Sequence, residues 1–323
     1  MNKSQYLQHQ QVQAFMSWMA ENALALPIHL KVKKSRFVPV AIDQQCVGFR
    51  DILDHYTWKA EGMVTGDWLE TQVRVTNLAN RLRQTIDHGT DDEVLEACKE
   101  ILQWGGNRDY KKGAFPFLSA KRPDLRHYLK TAREAFALAT ADTDQLVGPT
   151  KPIESMNSML TKVHSFLAQD GLPIYDSRVA AAMATLVEWW RHQAAQTNIA
   201  LADELKFPVL TRTRTVHRLF PEAQSPGLLR YGQPDTVADW CKAKVRLGWL
   251  IEGILQQYSI WGNLPIAHQM RCFEAVLFMI GYDVQCLATD MKTKTLWADS
   301  RVLSSKSNGH KSSQYSRLIE YAG

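Results

Sequence analysis

No two cysteines of the 323-residue sequence stand at the C-x-x-C spacing of zinc ligands or redox dithiols. The five present, Cys46, Cys98, Cys241, Cys272 and Cys286, are odd in number and scattered. Neither a disulfide framework nor the four-cysteine set of an iron–sulfur cluster is therefore expected. No apolar run reaches the ~20 residues that cross a bilayer. The opening residues, MNKSQYLQHQQ, are polar and lack the apolar stretch of a secretory signal. No tight acidic group suited to Mg²⁺ is present, which argues against a metal-dependent nuclease. Internal repeats and heptads are missing too. These absences point to a cytoplasmic protein with no metal, no cofactor, no membrane and no obligatory protein partner.

What is there suits an all-α fold with a large core. Hydrophobic residues make up 45% and charged residues 22%, ordinary for a globular chain. Helical spacing is expected over 5–24, where Phe15, Trp18, Met19 and Leu24 form a stripe, and over much of 46–104. Thr90-Asp91-Asp92 reads as a helix start. Ile28 to Lys33 alternates as a short strand does. Trp104-Gly105-Gly106-Asn107 breaks a helix, either as a plain C-cap or as a turn that lets backbone approach a substrate. Residues 108–126 read as a basic, aromatic loop, and 124–141 as a helix. The helix that passes Trp190 is expected to run on toward Glu204. A long irregular stretch, 205–234, precedes two amphipathic helices near 235–258 and 265–281.

The net charge of +5 permits a polyanionic partner. Its distribution is more informative. Basic residues bunch at Lys31-Lys33-Lys34-Arg36, Arg108-Lys111-Lys112, Lys121-Arg122-Arg126, Arg212-Arg214-Arg218 and Lys242-Lys244-Arg246. Each bunch is either a solvated face or a set of phosphate contacts. Tyr110, Phe115 and Phe117 interleave with one of them, as on surfaces that meet unstacked bases, or else they pack inward.

The densest signal lies between Ile153 and Met183. Met156, Met159, Leu160, Val163, Phe166 and Leu167 form one apolar helical face, stopped by Gly171 and Pro173. Asp176-Ser177 then offers an N-cap to an alanine-rich helix from Arg178 through Trp190. A lysine-bearing helix is thus followed by a turn and by an aspartate at the mouth of the next helix.

This stretch resembles the helix-hairpin-helix DNA glycosylases, in particular the 8-oxoguanine-glycosylase-fold branch. The matching residues are Thr161-Lys162-Val163 and Leu172-Pro173-Ile174-Tyr175-Asp176-Ser177-Arg178-Val179. Val147-Gly148-Pro149-Thr150-Lys151-Pro152 stands in place of the family's hairpin. The resemblance implies a helical glycosylase-like domain over 46–287, with an N-terminal elaboration (1–45) and a C-terminal tail (288–323). It implies an enzyme that flips a modified base out of double-stranded DNA and cleaves its glycosidic bond. The substrate would be an oxidised purine, or a hypermodified cytosine of phage DNA such as the glucosylated hydroxymethyl form, in repair or antiviral defence.

Asp176 would be the catalytic carboxylate, and Lys162 a covalent nucleophile if a lyase step occurs. Asn157 and Ser158 would line the pocket, or else be ordinary helix positions; Tyr175 would wedge or stack, or else pack; Arg178 would contact a phosphate of the DNA strand or form a salt bridge to Asp176. Trp104, Phe115, Phe117, Trp189 and Trp190 are candidate pocket walls. Arg108, Lys111 and Lys112 would meet DNA. The competing expectation is a non-catalytic helical DNA- or RNA-binding protein.

Overall fold

The computed structural model describes residues 1–107, 109–209, 214–224 and 236–290. Arg108, Arg212, most of the expected tail and parts of the irregular stretch lie outside the described residues. Eleven α-helices and one two-stranded sheet make up the regular structure among them. The protein is mostly helical, as the spacing of apolar residues leads one to expect.

The chain opens with two short helices, α1 (Lys3–Leu7) and α2 (Gln10–Asn22), in place of one continuous helix. An antiparallel hairpin follows, β1 (Pro27–Val32) on β2 (Ile42–Val47), in register from Pro27 opposite Val47 to Val32 opposite Ile42. Alternation works as expected: Ile28, Leu30 and Val32 are buried while their neighbours are not. The expected boundary at 45 falls inside β2, and Tyr6, Val12 and Phe15 belong to the same core as the later helices. The N-terminal stretch is thus part of the main body and not a separate layer.

α3 (Gly48–Asp54) leaves the hairpin directly. The long antiparallel pair α4 (Trp68–His88) and α5 (Asp91–Trp104) comes next. Both begin on side-chain caps. Asp67 accepts the Glu70 N–H, and Thr90 with Glu93 closes a reciprocal capping box. Glu70 also accepts the backbone N–H groups of Val64, Thr65 and Gly66; burial is the largest single effect and opposes its charge, but these bonds together with the Thr65 hydroxyl outweigh it and hold the carboxyl down at about 2.

The segment expected as a loop over 108–126 contains a helix, α6 (Ala114–Ala120). Pro116 sits in its first turn, where a missing N–H costs nothing, so proline there does not argue for a loop. α7 (Leu125–Ala135) is shorter than expected. After α8 (Leu160–Leu167) and α9 (Ser177–Gln193), the chain reaches α10 (Val237–Gln257) and α11 (Ile266–Ile280). α9 stops at Gln193 and does not continue to Glu204. No helix among the described residues is long and apolar enough to cross a membrane.

α8 departs most from expectation. It is buried along its whole length, including Thr161, Lys162, His164 and Ser165, so its polar residues are almost wholly enclosed. A helix buried all round normally carries apolar residues throughout. Four polar ones in eight positions mark it as a place where structure is spent on something other than packing.

His164 lies against Phe136 with the ring centroids 5.1 Å apart and the planes tilted by 54°, and neither ring nitrogen finds a hydrogen-bond partner. Burial, with Lys244 adding repulsion, pushes its pKa from 6.5 down to about 3. Between those values the unfolded chain binds a proton that the native fold refuses, so stability falls as pH drops through this window. The slope from this residue approaches about 1.4 kcal/mol per pH unit. Urea unfolding at a series of pH values should show a shallower acid slope in His164→Leu. An unchanged slope would place the proton elsewhere.

Candidate active site

The site is built where α8 hands the chain to α9. Residues 168–176 form an irregular connection stitched to the body along its length. Asp170 accepts the N–H groups of Leu138 (2.7 Å) and Leu172 (3.1 Å). Gly171 adopts φ +85° against α11, where a Cβ would come within 3.0 Å of the Ala267 backbone. Glu274 accepts the Ile174 N–H at 2.8 Å and the Arg271 guanidinium at 2.7 Å. The Tyr175 N–H donates to Thr161 Oγ1 at 3.0 Å.

One buried lysine draws these strands of contact together. Lys244 on α10 is fully buried, and its Nζ donates to the carbonyls of Thr161 (3.1 Å) and Pro173 (2.5 Å) and the hydroxyls of Thr161 (3.1 Å) and Ser165 (2.5 Å). It therefore clasps α8 to the turn that ends at Asp176. Burial drives its pKa well down, helped by the charge of Arg271. Every one of those four acceptors is neutral.

The clasp leaves Lys162 and Asp176 facing each other, with Lys162 Nζ 3.7 Å from Asp176 Oδ2. Each side chain is only 7% exposed. Lys162 also donates to the Ser158 carbonyl at 3.0 Å. Asp176 is the N-cap of α9 and accepts the N–H groups of Arg178 (2.9 Å) and Val179 (3.2 Å). Burial opposes its charge, but Lys162, Arg178 and these two N–H donors outweigh it and hold the carboxyl below its usual value. Burial also dominates at Lys162, and its amine is shifted downward despite the attraction of Asp176.

Both side chains line a cavity of about 550 Å³. Trp58, Trp68, Trp104, Phe166 and Phe278 supply aromatic wall, and α4 contributes a polar edge through Gln72, Thr76 and Asn80. The Trp58 indole donates to the Trp104 carbonyl at 3.0 Å, fixing two of these rings. Gly105 follows at once, and a Cβ there would stand 2.6 Å from Lys162 Cδ. The helix break after Trp104 is thus a C-cap and also the place where backbone makes room for the lysine stem.

The remaining expected residues fall into two groups. Ser158, Trp104 and Arg178 line the cavity. The Arg178 guanidinium lies over the rings of Tyr282 (4.3 Å), Phe278 (4.7 Å) and Trp58 (5.6 Å), so its positive charge is held against the cavity wall. Asn157 and Tyr175 require correction as substrate-contacting residues. Asn157 is buried and holds the turn into α8 by accepting the N–H groups of Met159 and Leu160. Tyr175 is fully buried, with its hydroxyl donating to the Pro208 carbonyl.

Phe115, Phe117, Trp189 and Trp190 likewise lie away from the cavity lining. Lys111 and Lys112 are exposed in the connection between α5 and α6, outside the cavity, with Lys112 4.0 Å from Asp109. Several expected phosphate contacts are occupied internally. Arg122 pairs with Asp92, Lys121 with Glu154, and Lys244 is the clasp itself. Lys244, Trp58 and the Arg271–Glu274 pair are site residues that the sequence reading missed. The available signal for Lys244 was its register: it lies between Trp240, Cys241, Val245 and Gly248 on the buried face of α10.

Compared with known proteins, the chain matches no family model, no curated protein and no solved structure.

Replacing Lys244 with Met removes the donor while keeping the bulk, and strands the acceptors on α8 and the turn. A stability loss of about 1–3 kcal/mol is expected, together with faster exchange of the Tyr175 amide. Denaturant titration and native-state hydrogen exchange read the two. Unchanged Tyr175 protection would contradict the clasp.

Proposed function

We propose that this chain is a DNA glycosylase of the helix-hairpin-helix superfamily, from the 8-oxoguanine-glycosylase-fold branch. The observation that carries the reading is the Lys162–Asp176 pair, 3.7 Å apart, opening into an aromatic-walled hollow of about 550 Å³. That volume lies within the roughly 300–1,000 Å³ of small-molecule sites. Such a hollow suits a nucleotide everted from the duplex, because its flat walls offer stacking and its polar edge offers hydrogen bonds to a base rim. The turn at 146–153 closes with Lys151 N–H on the Gly148 carbonyl and Ile153 N–H on the Leu146 carbonyl, and its Val147-Gly148-Pro149-Thr150-Lys151-Pro152 sequence departs from the family's L-P-G-x-G hairpin.

In this reading the base leaves through a transition state with positive charge on the sugar. Asp176, kept ionised by two backbone N–H groups and by the Arg178 guanidinium nearby, stabilises that charge. Lys162 has the lowered basicity that an amine needs to act as a nucleophile at C1′, displacing the base and passing to a Schiff base with the opened sugar. Arg178 sustains the local positive field and the ionised aspartate. The substrate is an oxidised purine or a hypermodified cytosine such as the glucosylated hydroxymethyl form, and the partner is double-stranded DNA.

The test is incubation with duplexes carrying a panel of modified bases, phage DNA included, and detection of freed base. Asp176→Asn should keep DNA binding and lose about 10²-fold or more in base release. Borohydride should trap a covalent adduct with the native chain and not with Lys162→Ala. Binding without base release from any substrate would favour a non-catalytic helical DNA- or RNA-binding protein.

A further inference from the structure

Three metal-ligating side chains meet where β2 turns into α3, and base excision uses none of them. The ligand atoms of Cys46, Asp51 and His55 all lie within 4.8 Å of one another. Cys46 points inward near the end of β2, while Asp51 and His55 are four residues apart along α3 and its C-cap, hence on one helical face. Cys46 is buried and the other two are partly exposed. A metal ion can therefore arrive from solvent and meet the sulfur at the back.

The backbone fixes this arrangement. Gly48 takes φ +76°, and a Cβ there would stand 2.4 Å from the Leu24 carbonyl carbon. Gly48 N–H donates to the Leu26 carbonyl at 2.8 Å and Phe49 N–H to the Ala23 carbonyl at 2.7 Å. The strand and the helix thus hold their ligands at a set separation. Asp51 Oδ2 accepts the Val47 N–H at 2.9 Å, which turns Oδ1 toward His55 Nε2 at 3.8 Å. That gap is too long for a hydrogen bond and fits two ligands of a shared ion. A backbone N–H steadying the outer oxygen of a ligating carboxylate is the usual support in such sites.

We infer that Cys46, Asp51 and His55 bind a zinc ion, with the fourth position open to water. One sulfur, one nitrogen and one oxygen form a borderline donor set that suits Zn²⁺, whereas Mg²⁺ and Ca²⁺ take oxygen throughout. On binding, Cys46 releases its thiol proton to solvent and keeps the electron pair for the metal. Bond lengths of about 2.3 Å to sulfur and 2.0–2.1 Å to nitrogen draw the side chains inward by rotation. The ion braces the hairpin against α3, one residue before Tyr56, which lines the cavity. α3 in turn packs on α11, which carries Glu274 and Phe278 into the same cavity.

The test uses the untagged full chain, stripped with chelator and titrated with Co²⁺, then competed with Zn²⁺. The expected result is a single saturable site with the strong visible bands of tetrahedral cobalt and a thiolate charge-transfer band. Zn²⁺ should abolish both and raise the melting temperature. Asp51→Asn and His55→Ala, both at partly exposed positions, should weaken binding at least tenfold. Cys46→Ser should lose the charge-transfer band, whereas Cys286→Ser should keep it. Absence of the band from the native chain, or its survival in the folded His55→Ala protein with unchanged affinity, overturns the site. This outcome is independent of whether the chain excises bases.

Discussion

A fully buried lysine amine organises this molecule. Lys244 has given up its hydration for four neutral oxygens, which come from α8 and from the turn after it. Burying an ammonium is expensive unless its donors are all satisfied. That requirement makes the arrangement specific, because any slip of α8 against the turn leaves charge or carbonyl unpaired. Close packing alone would tolerate such a slip more readily. The position of Lys162, next to Thr161, and of Asp176, three residues after Pro173, follows from the same clasp.

The second buried pair then has its properties largely assigned by place. Asp176 serves as the N-cap of α9 and as the counter-ion of Lys162, so a single carboxylate meets a structural and an electrostatic demand. Its two roles reinforce each other: the N–H groups that need a cap also favour the ionised form. Arg178, pinned over three rings, adds positive charge without leaving the wall. Glu274 shares the cavity but is pushed the other way, its pKa raised by burial against the pull of Arg271 and the Ile174 N–H. Two carboxyls in one hollow with opposite shifts give the site a graded polarity.

Much of this was legible in the sequence, and the failures have physical causes. The long helices α10 and α11 were readable to within two residues, because their apolar periodicity is strong. The strand β1 was readable from simple alternation. α6 was not, since Pro116 and its glycine and lysine neighbours mimic loop composition while the first turn of a helix tolerates proline. α8 was read as one-sided because its polar residues look solvent-facing in sequence; their partners lie on α10 and the turn, some 80 residues away for Lys244 and Thr161. The Lys162–Asp176 juxtaposition was a readable expectation of the motif. The aromatic wall from Trp58 and Trp68 was not, for it depends on how α4 and the preceding loop fold over α8.

The account rests on the claim that the hollow beside Lys162 and Asp176 receives a nucleotide turned out of a duplex. The most direct measurement is a crystal structure of the full chain with a duplex carrying a charged pyrrolidine analogue of an abasic sugar. The account predicts that sugar inside the hollow, against the Asp176 carboxylate and within reach of Lys162, with the neighbouring strand crossing the connection around Lys111 and Lys112. A duplex held elsewhere on the surface, with the hollow free of any nucleotide, would contradict it.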